Sequence, residues 1–115
     1  MTYVFDIDGT ICHSDGDYED SKPLWRRIDK INNLFDSGRS KVILTTSRKT
    51  ESDQETRQQL DKLGVKYHQI IYDLYHAKRV IINDYAESNP YKSCDAINIR
   101  RNSSDLKFMI RDIKE

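Results

Sequence analysis

A chain of 115 residues is long enough for one compact domain with a single core and leaves little room for a second, so one domain is expected over 1–115. Lysine plus arginine (19) equals aspartate plus glutamate (19), a balance that offers no electrostatic footprint for duplex nucleic acid or an anionic membrane. No run approaches the ~20 apolar residues of a membrane span and the first residues lack a basic region and signal core, so a cytoplasmic protein is expected.

Residues 2–5 form a β-prone apolar run that stops at Asp6-Ile7-Asp8-Gly9-Thr10, the pattern of a buried strand delivering two carboxylates to its carboxyl end. The polar stretch 14–20 reads as a loop. Residues 22–37 carry Leu24, Trp25, Ile28, Ile31, Leu34 and Phe35 at helical spacing, with Pro23 near the start and Gly38 past the end, and predict a helix with those side chains in the core. A second β-branched run, 42–45, leads into Thr46-Ser47-Arg48. Ser52-Asp53-Gln54-Glu55 matches a capping box, and Leu60, Leu63 and Gly64 complete a second helix. Further strands are expected at 67–72, 80–83 and 96–99, followed by a helix capped by Ser103 or Ser104 with Leu106, Met109, Ile110 and Ile113 on one face.

This order predicts an α/β fold, a Rossmann-like three-layer sandwich around a mostly parallel sheet. Ligands bind beyond the carboxyl ends of such strands, so Asp6 and Asp8, Thr46 and Arg48, and Asn83 and Asp84 should converge. The seven residues 72–78 fall short of the dozen or so that a parallel crossover takes, so the strand at 67–72 lies elsewhere or pairs antiparallel.

Asp6 and Asp8, two apart on an extended chain, start on one face, and Gly9 allows a sharp turn beside them. With Asp84 brought nearby they would concentrate up to three negative charges, an arrangement that favours either a raised pKa on one member or a bound hard cation, and Mg²⁺ suits such an oxygen-rich site. An ionised aspartate is a weak nucleophile whose useful covalent chemistry is attack on phosphorus, which suits Asp6. Asp8 could supply a proton to the leaving oxygen and then activate water. Thr46 and Ser47 offer hydroxyl donors to phosphoryl oxygens, while Arg48, Lys78 and Arg79 could balance their charge.

The five residues Asp6-Ile7-Asp8-Gly9-Thr10 resemble the first motif of the haloacid dehalogenase-like phosphatases. The run ending in Thr46-Ser47-Arg48 resembles their second motif, and Val80-Ile81-Ile82-Asn83-Asp84 their fourth. The resemblance implies Asp6 as nucleophile and metal ligand, Asp8 as acid and base with its carbonyl on Mg²⁺, Thr46 as phosphate-binding hydroxyl and Asp84 as the metal-anchoring carboxylate. Gly9, Thr10, Ser47, Arg48 and Lys78 become the substrate-binding candidates. Asn83 departs from an acidic pair, and the segments between motifs are too short for a separate cap. A capless member acting on a phosphomonoester is implied: a sugar phosphate, a nucleotide or a polynucleotide end. Its open site could be covered by a second subunit or by residues 14–20. The usual third-motif cation is missing at Asp73-Leu74-Tyr75, and of the neighbours Lys78 and Arg79, which face opposite ways on an extended segment, Arg79 is expected to take the role.

Two other readings remain beside this one: a receiver-like phosphoacceptor domain, with Asp73 after a middle strand, and a catalytically silent module that binds phosphate or a protein. His13, His68 and His76 lack ligand spacing and are expected in surface or packing roles. Cys12 and Cys94 are expected as reduced thiols, Cys12 buried. Tyr72, Tyr75, Tyr85 and Tyr91 flank the expected site and could stack on a sugar or base.

Overall fold

The computed structural model describes residues 1–14, 21–88 and 93–103. Strand β1 (Thr2–Asp6) pairs in parallel with β2 (Lys41–Thr45), which pairs in parallel with β3 (Gln69–Ile71), giving an open sheet in the order β1-β2-β3. Helix α1 (Trp25–Asp36) connects the first two strands and α2 (Asp53–Leu63), preceded by a 3-10 turn at Thr50–Ser52, connects the second and third. This three-stranded parallel sheet with two helices is compatible with an α/β, Rossmann-like plan. Among the described residues no helix is long and apolar enough to cross a membrane.

The β-branched run of β2 forms the centre of the sheet, with Val42 and Leu44 fully buried against Ile28, Ile31, Leu60 and Ile70. Helix α1 buries the stripe Leu24, Arg27, Ile28, Ile31 and Leu34, spaced at three and four residues, and ends beside Gly38 in the left-handed region (φ 69°). Trp25 is not in the core but 54% exposed; the buried position beside it belongs to Arg27. Phe35 does pack against the core and stacks on His68 at 4.5 Å, while His68 Nδ1 accepts the Val42 N–H.

Helix α2 ends as its sequence predicts: Gly64 adopts φ 72°, its N–H donates to Asp61 and the Val65 N–H donates to Leu60, the two bonds of a Schellman motif. Its start differs. The capping box does not form, because both the N–H and the hydroxyl of Ser52 donate back to the Lys49 carbonyl within the 3-10 turn. Asp53 and Glu55 in the first turn complement the positive end of the helix instead.

The third strand pairs in parallel, and the short 72–78 connection sets no conflict, because 80–83 does not join the sheet. Val80, Ile81 and Ile82 are 73%, 60% and 92% exposed, and 96–99 forms no strand either. Strand β1 is therefore an edge of the described sheet, with Val4 half exposed, rather than a buried strand. The expected last helix beyond Ser103, most of the 14–20 loop and Tyr91 lie outside the described residues.

Because burial is concentrated on β2, Leu44→Ala should destabilise the fold by about 2–5 kcal/mol. Val4→Ala, at the half-exposed edge, should cost well under half as much. Chemical denaturation of both variants measures the difference.

Candidate active site

The parallel register sets Asp6 opposite Thr45 at the carboxyl ends of β1 and β2. Thr46 follows, 1% exposed, with its N–H continuing the ladder to the Ile71 carbonyl and its Oγ1 accepting the Arg48 N–H at 3.0 Å. Beyond Asp6 the chain closes a tight turn in which Thr10 and Ile11 N–H groups donate to the Ile7 carbonyl and the Gly9 N–H donates to Cys12. Gly9 sits at φ 87°, a conformation that favours glycine. Thus the turn residues Gly9 and Thr10 and the second-strand residues Thr46, Ser47 and Arg48 gather at one end of the sheet.

Arg48 is the best-held side chain here. Its Nε and Nη2 donate to the two carboxylate oxygens of Asp8 at 3.0 and 2.7 Å, and Nη1 donates to Gln59 Oε1 at 2.8 Å and Thr56 Oγ1 at 3.3 Å. The Arg48 side chain is 1% exposed and that of Asp8 18%. A carboxylate accepting a guanidinium through both oxygens has the hydrogen-bond pattern of the ionised form, so giving a proton from Asp8 requires one of these bonds to open. Cys12, also buried and not in a disulfide, lies 3.9 Å from Asp8 Oδ1 and from Arg48 Nη2.

Asp6 faces a different environment. Burial pushes its carboxyl pKa upward, the Arg79 guanidinium opposes that shift, the Asp8 charge adds to it, and the Ile7 backbone and, more weakly, His76 oppose it. Arg79 Nη2 lies 3.5 Å from Asp6 Oδ1, with both side chains about two-fifths exposed. Lys78 makes no ion pair among the described residues.

Among the described residues, Asp84 does not complete a metal-holding group with Asp6 and Asp8. Asp84 is exposed, its backbone carbonyl accepting from the Asn83 amide and the Ser93 hydroxyl, and among the described residues no three His, Cys, Asp or Glu side chains come together as a metal-holding group. The expected convergence depended on 80–83 entering the sheet. Tyr72 donates to Asp53 at 2.5 Å, and burial together with that bond raises its pKa; Tyr75 is 90% exposed and Tyr85 58%.

Several residues that hold the site carry no sequence motif. Arg27, 1% exposed, donates to the carbonyls of Gly9 at 3.1 Å and Thr10 at 3.2 Å and to Ser103 Oγ at 2.6 Å. Helical spacing from Leu24 and Ile31 does put position 27 on the buried face, and the same holds for Thr56 and Gln59 beside Leu60. Asp73, at φ 63°, accepts from the Thr50 N–H and hydroxyl and donates its own N–H to the Arg48 carbonyl, tying the end of β3 to the loop after β2.

No protein-family model and no curated protein matches the chain. Among solved structures, the chain is similar to a structural-genomics target from Vibrio cholerae at 20% identity, with a TM-score of 0.58 over 70% of this chain and 78% of that one. It is also similar to a chain of the Pnkp1/Rnl/Hen1 complex at 21% identity, with a TM-score of 0.55 over 69% of this chain but 30% of the other. At these identities the likeness is one of fold.

Removing one partner of a buried pair strands the other, so Arg48→Ala should destabilise the protein by about 3–5 kcal/mol in chemical denaturation. Asp6→Asn should do the opposite in metal-free protein. A carboxyl whose folded pKa is raised makes the folded state less stable once ionised, so the stabilisation by asparagine should be full above that raised pKa. It should shrink as pH falls through it and vanish below the ordinary aspartate value of 3.8. Paired denaturation curves across pH check the sign.

Proposed function

We propose that this protein is a capless phosphohydrolase of the haloacid dehalogenase-like kind, cleaving a phosphomonoester through an aspartyl-phosphate on Asp6. The observation that carries the reading is the position of Asp6: a half-buried carboxylate of raised pKa at a strand end, in register with Thr45, next to Thr46 and 3.5 Å from the Arg79 guanidinium. One Asp6 oxygen attacks phosphorus as the bond to the leaving oxygen breaks. Arg79 and the Thr46 and Ser47 hydroxyls stabilise the transferring oxygens. Asp8, freed of one Arg48 bond and carrying a proton, gives it to the leaving oxygen. Ionised again and gripped by Arg48, it takes a proton from the water that attacks the acyl-phosphate, releasing phosphate and restoring Asp6.

The donor set fits a hydrated Mg²⁺, since this ion takes one or two protein carboxylates and keeps several waters. The Asp6 carboxylate and Asp8 backbone carbonyl would hold it, with Asp84 outside that set. When bound, such an ion supplies positive charge that offsets the phosphate dianion and the Asp6 carboxylate. The substrate classes that suit an open site are sugar phosphates, nucleotides and polynucleotide ends.

The exposure of Asp84, with no three acidic, histidine or cysteine side chains gathered as a metal-holding group among the described residues, favours a second reading, a catalytically silent phosphate-binding module. The receiver-like reading is weakened, because the Asp73 carboxylate is taken by Thr50. Turnover of p-nitrophenyl phosphate decides between enzyme and silent module: activity should require Mg²⁺, stop in excess chelator and be abolished by Asp6→Asn. Arg79→Ala should lower it by ~10²-fold, and Lys78→Ala should change it little. Absence of turnover under all these conditions supports the silent module.

A further inference from the structure

The segment 100–103 returns from a distant part of the chain and is fastened to the turn after Asp8. The Asn102 N–H donates to the Gly9 carbonyl at 2.9 Å, the Ser14 N–H donates to Asn102 Oδ1 at 2.8 Å, and Arg27 donates to Ser103 Oγ. The Ser103 N–H closes a turn on the Arg100 carbonyl. Asn102 itself is left-handed, at φ 61°, a conformation that a non-glycine residue adopts at some cost and keeps where surrounding bonds over-determine it.

This fastening lays the stem of Arg101 directly on Gly9: a β-carbon added to Gly9 would lie 2.9 Å from Arg101 Cγ. The other arginines nearby are engaged, Arg27 with the turn carbonyls, Arg48 with Asp8 and Arg79 with Asp6. Arg101 is exposed, and among the described residues its guanidinium has no hydrogen bond or ion pair. An arginine with its stem packed and its head in solvent keeps a fork of donors directed outward, suited to a carboxylate or a phosphate.

We infer that Arg101 is a specificity-determining residue that binds a second anionic group of the substrate, so the preferred substrates are phosphomonoesters carrying another carboxylate or phosphate. This rests on the reading of Asp6 as the phosphate-accepting centre. The second anion meets Arg101 at the rim of the Gly9 turn while the phosphoryl group is at Asp6, and no covalent step involves Arg101.

The test compares 3-phosphoglycerate with glycerol 3-phosphate, which share a three-carbon skeleton and a phosphate and differ in the carboxylate. Affinity is measured with Mg²⁺ in otherwise wild-type protein, as the inhibition constant of each compound against p-nitrophenyl phosphate turnover. The carboxylate-bearing ligand should bind about tenfold more tightly. Adding Arg101→Ala should remove that preference and leave glycerol 3-phosphate affinity unchanged, which a damaged turn would not do; Arg101→Lys should restore part of it. Equal affinities in the parent, or a preference that survives Arg101→Ala, would overturn the assignment to Arg101 alone. Failure of both ligands to bind would overturn it together with the phosphate site.

Discussion

An arginine side chain buried to 1% exposure in a small domain must have its donors matched, and Arg48 matches them with groups from separate parts of the chain. Asp8 comes from the turn after β1, Thr56 and Gln59 from α2, and the backbone of Arg48 itself bonds Thr46 Oγ1 and the Asp73 N–H. One side chain therefore locks the ends of two parallel strands to the helix between β2 and β3. The separation of Asp6 from Thr46, on which phosphoryl chemistry at this end of the sheet would depend, follows from that lock and from the strand register. Replacing such a pair by apolar groups of similar size often stabilises a protein, so a buried pair of this kind is weak evidence for stability, whatever geometry it fixes.

A second buried arginine does comparable work below the turn. Arg27 donates to the Gly9 and Thr10 carbonyls, giving each a donor inside the protein. From the other side Asn102 supplies an N–H to Gly9. The motif turn is thus held by groups 18 and 93 residues distant from Gly9 in sequence, and its shape belongs to the tertiary structure rather than to five local residues.

Much of this architecture is legible in the sequence where the information is local. The runs at 2–5, 42–45 and 67–72 become paired strands because β-branched and aromatic residues bounded by polar breaks have few other stable arrangements. Gly64 closes α2 because the left-handed cap needs a residue without a Cβ penalty. The failures are of another kind. Residues 80–83 are as apolar as β2, but whether an apolar run is buried depends on a partner edge that its own sequence does not specify. Trp25 outranks Arg27 in hydrophobicity, yet Arg27 takes the buried position because the Gly9 and Thr10 carbonyls supply acceptors there. Ser52 loses its capping role to a 3-10 turn that satisfies its hydroxyl locally. Of the candidate site, the residues at the ends of β1 and β2 were readable from their position after strands, whereas the packing of Arg101 on Gly9 has no local signal.

If Asp6 carries the phosphoryl group during turnover, as proposed, an aspartyl-phosphate forms at that position. Rapid acid quenching with substrate present, followed by borohydride reduction, converts an aspartyl-phosphate to homoserine, and peptide mass spectrometry then reads which position was modified. Homoserine is expected at position 6 and unmodified aspartate at position 8. Steady phosphate release with aspartate intact at position 6 would contradict the proposal.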